Sequence, residues 1–190
     1  MSTLKVNNVQ DLGADAVVTD GVIDSGALPA GSILQVVSVL KTDTFSASVA
    51  VAASIDVTGL SITHQVSNPS NKLLITAYFG AASTSQQAGS LGIAVANDGT
   101  LIGVGDTAGS RVSVGAGGQI AVSSSTAVVS MPSISLLYEP GDTSSHTYTV
   151  RILNVSPSTR TMYVNRSEQD GDTTGRSRAA SALTLMEVAG

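Results

Sequence analysis

The stretch HTYTVRILNVSPSTRTMYVNRSEQDGDTTGRSRAASALTLMEV, His146 to Val188, decides the fold class. Tyr148, Val150, Ile152 and Val155 alternate with polar residues, and the alternation slips by one residue near Leu153 and Asn154. A period of two belongs to a strand with one covered face. Ser156-Pro157-Ser158-Thr159 reads as a turn, because proline presets φ and the hydroxyls bond back to nearby backbone. Thr161, Tyr163 and Asn165 then alternate with Met162, Val164 and Arg166. The polar loop Ser167–Ser177 carries Asp170-Gly171-Asp172 and Gly175 and offers no core residue. Leu183, Leu185 and Val188 form a closing strand, expected to dock inside a sheet.

Working upstream, the same texture continues. Ile33 to Leu40 is an apolar run suited to a strand covered on both sides. Phe45 to Val57 reads as a strand with Val49, Val51, Ala53 and Ile55 on one face, and Thr58-Gly59 as a turn into Leu60–Val66. Asn68–Asn71 is a turn before the strong strand Lys72–Phe79. Gln86–Gly89 is a loop, and Asn97-Asp98-Gly99 between Leu91–Ala96 and Thr100–Val104 is a hairpin signal. Gly105 to Ser125 is Gly- and Ser-rich and sets no register. Val128–Tyr138 contains Pro132, which calls for an edge position or a bulge. Strands of this length with turns this frequent predict an all-β sandwich or barrel.

Residues 1–31 differ from the rest. Asp11, Asp15, Asp20 and Asp24 oppose only Lys5, and short apolar pairs are spaced by Asn-Asn, Leu-Gly, Asp-Gly and Ser-Gly. These dipeptides punctuate an extended path with turns, with at most a helical turn in Ala14–Asp24. The segment cannot build a core alone, so Leu4, Val6, Val9, Leu12, Val17, Val18, Val22 and Ile23 are the candidate residues for anchoring to a capsid or to sister subunits. Pro29 and Gly31 mark the boundary between an extended N-terminal anchoring arm, 1–31, and a β-sandwich domain, 32–190.

Composition narrows the partners. Only 12% of residues are charged, against the quarter to a third usual on soluble surfaces, so part of the surface is expected to be covered by other chains. A net charge of −5 argues against nucleic acid, which demands clustered Lys and Arg. With no cysteine there is no disulfide and no thiolate metal site. No apolar run reaches the length of a membrane helix, so no membrane insertion is expected, and the N-terminus lacks the pattern of a signal peptide.

No residue set reads as a reaction centre. His64 and His146 have no nucleophile setting around them and are expected as surface or interface histidines. Glu168, Asp170 and Asp172 offer oxygen ligands but not the rest of a calcium loop, so a solvated loop is expected. Paired acids for glycoside cleavage would need aromatic sugar platforms, and the chain has no Trp, two Phe and four Tyr. Gly115-Ala116-Gly117-Gly118 lacks the ending of a phosphate loop and is expected as flexible loop or close-packed backbone. Asn154 and Asn165 start glycosylation sequons, where no modification is expected. Arg151, Arg160, Arg166, Arg176 and Arg178 concentrate in the C-terminal block, which would let the acidic arm of one chain lie on the basic region of another. The chain is therefore read as a non-enzyme with no cofactor and no metal.

Three phrases carry a family resemblance: DGVIDSGALPAGSILQVV at 20–37; DVTGLSIT at 56–63 with SNKLLI at 70–75; and the closing TYTV, YVNRS and SALTLMEV. In this order they resemble marine bacteriophage (cyanophage-like) fibre and virion-surface proteins over most of residues 20–188. The resemblance implies a jelly-roll-like antiparallel β-sandwich, somewhat like tumour-necrosis-factor trimers, assembled as a homotrimer on the virion surface after synthesis in the host cytoplasm. The short segment before the sandwich favours a head decoration (cement) or short-fibre protein over a long tail fibre. Its partners would be itself and the major capsid protein or another virion protein. The alternative is a tail-fibre or knob receptor-binding protein, touching a host surface glycan through loops Gly105–Gly118 and Ser167–Ser177.

Overall fold

The computed structural model describes residues 28–82, 91–117 and 129–190, with the backbone alone of 8–10, 16–19, 22–23, 83, 89–90 and 118–120. Among the described residues every regular element is a strand. Three short strands, β1 (Asn8–Gln10), β2 (Ala16–Thr19) and β3 (Val22–Ile23), pair antiparallel in that order. The main body follows with β4 (Ile33–Lys41), β5 (Phe45–Val49), β6 (Ser54–His64), β7 (Lys72–Tyr78) and β8 (Ala81–Ser83). It continues with β9 (Gly89–Asn97), β10 (Thr100–Ile102), β11 (Ala116–Ile120) and β12 (Ser133–Tyr138). β13 (His146–Asn154), β14 (Arg160–Val164) and β15 (Ser181–Val188) complete it.

The pairing is nested. β4 lies on β15, β5 on β14, β6 on β13, β7 on β12, and β9 on both β10 and β11, all antiparallel. A long hairpin rolled up on itself gives this order, and it is the jelly roll. One sheet runs β12-β7-β15-β4, and the chain segments of β7, β15 and β4 meet again as β8-β14-β5. The other sheet runs from β10 and β11 through β9 and β13 to β6. Between them lies an aliphatic core that includes Leu73, Ile75, Leu183 and Leu185 from the first sheet and Leu60, Ile62, Ile93, Val150 and Ile152 from the second. Alternate residues of β7 and β15 are buried, which is the period that made these strands readable. The closing strand does dock inside its sheet, between β7 and β4.

Some local expectations are corrected. Phe45–Val57 is not one strand: it turns at 50–53, where Ala52 takes φ 55°, and β6 starts at Ser54. Thr58-Gly59 is not a turn either. β6 runs straight through it with Gly59 at φ +86°, and the register against β13 shifts between Thr149 and Arg151. A glycine-centred bulge thus does locally what a turn would have done, without ending the strand. Ile33–Leu40 is an edge strand with one covered face, not a strand covered on both sides. Ala14–Asp24 holds β2 and β3 and no helical turn among its described residues. The hairpin at Asn97–Gly99 is as expected, with Asp98 and Gly99 both at positive φ, and β12 after Pro132 is an edge strand. Gly117 is close-packed backbone: a Cβ there would sit 2.5 Å from the Leu91 carbonyl oxygen. The loop at 86–88 lies outside the described residues.

β10 and β11 are two parts of one strand beside β9, since Ile102 faces Val95 and Ala116 faces Ile93. Residues 103–115 are an excursion from it. The excursion crosses the outer face of the second sheet, where Val114 fills the space above Gly92: a Cβ there would lie 2.2 Å from the valine.

Candidate functional site

The sandwich has two dissimilar ends. At one end β4 begins and β15 stops. Gly31 N–H donates to the Ala189 carbonyl (2.8 Å) and Ala189 N–H to the Ser32 carbonyl (2.9 Å), so the arm joins the body beside the C-terminus. Of the candidate anchoring residues, Val9 pairs in register with Val18, and Val18 with Ile23; Val17 and Val22 lie on β2 and β3. Leu4, Val6 and Leu12 lie outside the described residues.

The same end carries a polar cluster that the sequence did not reveal. Glu187 is only 2% exposed. Its Oε1 accepts from Ser67 N–H, Ser67 Oγ and Asn71 Nδ2, each at 2.7 Å, and its Oε2 lies 3.4 Å from His64 Nε2. Burial pushes the Glu187 carboxyl up, but the three donors and the neighbouring His64 outweigh it and hold it below the ordinary value. The carboxylate, not the imidazole, holds the serine hydroxyl, so this is no nucleophile–base pair. It is a latch that ties the 65–71 loop to the last strand, and Gly190 N–H reaches Asn71 Oδ1 at 3.2 Å.

Directly across the register from His64 stands His146. Neither histidine is a free surface side chain. His64 is buried, 7% exposed, and His146 is held by Asp98 Oδ2 at Nδ1 (2.7 Å) and Asp142 Oδ1 at Nε2 (3.1 Å). The bond to Asp98 raises the His146 pKa, partial burial opposes it, and Asp142 adds to the rise. Both carboxylates are held below their ordinary range, Asp98 first by the Thr147 N–H and Asp142 first by the Ser144 N–H, with His146 contributing to each. Asp98 thereby clamps the β9–β10 turn to the start of β13. No group of three or more His, Cys, Asp or Glu residues suited to a metal occurs among the described residues.

The outer face of the β12-β7-β15-β4 sheet is unlike an ordinary surface. Register sets three rows across it: Leu137-Leu74-Met186-Val36, then Ser135-Thr76-Thr184-Ser38, then Ser133-Tyr78-Ala182-Leu40. None holds a charge. Val36 is 55% exposed, Leu137 56% and Leu40 59%, and Ile33 at the edge 56%. Charge returns at the border, where Lys72 meets Glu139 at 2.7 Å. Four strands about 4.8 Å apart and rows about 7 Å apart span roughly 400 Å², with the Ser135-Thr76-Thr184-Ser38 row of hydroxyls running between the two more apolar rows.

The opposite end is built from the turns at 50–53 and 155–159 and from the apex of the 103–115 excursion. They enclose an open cavity of about 540 Å³. The sequence pointed to Gly105–Gly118 as a recognition loop, and its Ser110, Arg111 and Val112 line this cavity. Loop Ser167–Ser177 is mostly self-contained: Asp170 takes both Arg166 (3.5 Å) and Arg178 (2.8 Å), and Arg176 donates to Gln169. Arg151 pairs with Asp56. Most of the arginines set aside for an acidic arm thus have partners within their own chain. Both sequon asparagines are fully buried and donate to backbone carbonyls.

No protein-family model matches the sequence, and no curated protein matches it. Among solved structures, a chain in the structure of infectious bursal disease virus, Gx strain, is similar over 82% of this chain at 14% identity and a TM-score of 0.42. The match covers 37% of that chain, so this protein spans well under half its length. The jelly-roll assignment rests on the strand pairing itself.

Proposed function

We propose that the chain is a virion structural protein, a homotrimeric head decoration or short-fibre protein anchored through residues 1–31. The observation that carries this reading is the uncharged outer face of the β12-β7-β15-β4 sheet. Left in water, that face would expose Leu, Met, Val and Tyr on either side of a Ser/Thr row, beside a nine-residue strand edge that no strand among the described residues pairs, a combination that soluble proteins avoid. A threefold assembly joins two different patches of each copy. The sheet face around Leu74 and Met186 is one, and the β4 edge with Ile33 and Leu40 is the other. The low overall charge and the resemblance to phage virion proteins support the same assignment. Stabilisation of the shell is then mass action: a protein that binds only the assembled lattice favours it.

Deletion of residues 1–24 tests the anchor. The truncated chain keeps the thermal transition of the sandwich and no longer co-sediments with particles. A truncated chain that still decorates particles overturns the anchoring role, and antibody label absent from every particle overturns the virion assignment.

A further inference from the structure

At the end remote from the arm lies an open depression between the 50–53 and 155–159 turns and the 103–115 excursion. We propose that it binds a carboxylate-bearing saturated ring, the chemistry of an acidic sugar, with Arg111 as the anion partner. Its volume of about 540 Å³ falls within the range of small-molecule pockets. Val51, Val112, Val155 and Pro157 supply apolar walls suited to the C–H face of a pyranose, and Ser110 supplies a hydroxyl.

Charge selects the ligand. Lys41, Lys72, Arg151, Arg166 and Arg178 each have a carboxylate partner. Arg111 has none among the described residues, as Arg160 and Arg176 have none: its guanidinium makes a long contact of 3.4 Å to the Ala108 carbonyl. Arg160 stands behind the same wall, its Nε donating to Ser156 Oγ at 3.1 Å. A guanidinium left without an acid in a chain of net charge −5 is set to receive one from outside.

The wall is preformed. Asn154 Nδ2 donates to the carbonyls of Val49 (2.8 Å) and Ser158 (2.9 Å), and its Oδ1 accepts from Ser156 N–H (2.9 Å). The bond to Val49, with Ala52 N–H to the Asn154 carbonyl (3.2 Å) and Asn154 N–H to the Ala53 carbonyl (2.9 Å), fixes the two turns against each other before any ligand arrives, so little ordering cost attends this part of the wall. With the arm leaving from the far end, the cavity faces away from the anchor. The inference is independent of the sheet-face assembly.

The test is an amide chemical-shift titration of the full chain with sodium D-glucuronate, D-glucose and sodium acetate at matched ionic strength. Glucuronate should shift Val51, Ala52, Arg111, Val112 and Val155, while glucose and acetate bind about tenfold more weakly or not at all. Arg111→Gln should weaken glucuronate by about tenfold or more. The double variant V36K/L137K should bind as the parent does, which separates this site from the assembly surface. Equal binding of glucose, binding unchanged in Arg111→Gln, or shifts confined to other parts of the chain would overturn the proposal.

Discussion

Replacing Glu187 with alanine removes the acceptor shared by three donors at 2.7 Å and leaves Ser67 N–H, Ser67 Oγ and Asn71 Nδ2 to find other partners in a buried site. Hydrogen bonds to a charged group contribute about 1.5–3 kcal/mol each, but bonds that share one acceptor do not add. Breaking one side of a buried charged cluster costs about 3–5 kcal/mol. For a domain of this size each kcal/mol moves the melting temperature by about 2–4 °C, so Glu187→Ala should melt about 6–20 °C below the parent. Glu187→Gln keeps the shape and one acceptor and should cost less. The sign of the pH dependence follows from the lowered pKa. The carboxylate stabilises the fold at pH values above its unfolded value of 4.5, and that contribution is lost as pH falls through the lower folded value. Urea unfolding at about pH 7 and about pH 3 measures both effects, and the gap between parent and Glu187→Gln should narrow in acid. A Glu187→Ala protein within about 1 kcal/mol of the parent, or a gap that acid leaves unchanged, would refute the latch.

Other substitutions probe the remaining assignments. Gly117→Ala brings a Cβ to 2.5 Å from the Leu91 oxygen at φ +143° and should destabilise by about 2 kcal/mol or more in thermal melts. In an NMR titration the His146 imidazole should titrate above the ordinary 6.5, and Asp98→Asn should lower it. Because the folded pKa is raised, the stability that His146 contributes is present below pH 6.5 and fades as pH rises through the folded value. Asn154→Ala cuts one hydrogen bond to the Val49 carbonyl across the two turns and two within the 154–158 turn, and should cost about 2–3 kcal/mol by urea unfolding.

The strands were legible where burial is strictly alternate. Leu73, Ile75 and Ala77 in β7 and Leu183 and Leu185 in β15 announce their face by period alone. Legibility ended where one residue changes the rule. Gly59 makes a bulge that reads as a turn, and Ala52 makes a turn with no turn residue to mark it. The edge status of β4 was hidden for a different reason: its apolar run has the composition of a buried strand, yet among the described residues no strand covers Val36 or Leu40. The latch around Glu187 was illegible because it joins residues 120 positions apart in sequence, and no local spacing links Ser67 to Glu187. The excursion at 103–115 was marked by its glycines, but its lodging over Gly92 depends on strand register. The aspartates around His146 likewise come from two separate turns, Asp98 and Asp142.

The central claim is that the uncharged face of the β12-β7-β15-β4 sheet is a subunit interface. Light scattering of the purified full chain beside its V36K/L137K variant tests it most directly. Both positions are exposed in the single chain, so each substitution should leave the fold within about 0.5 kcal/mol of the parent. The account predicts a trimer for the parent and a folded monomer for the variant. A parent that is monomeric at all concentrations, or a variant that remains trimeric, would contradict it.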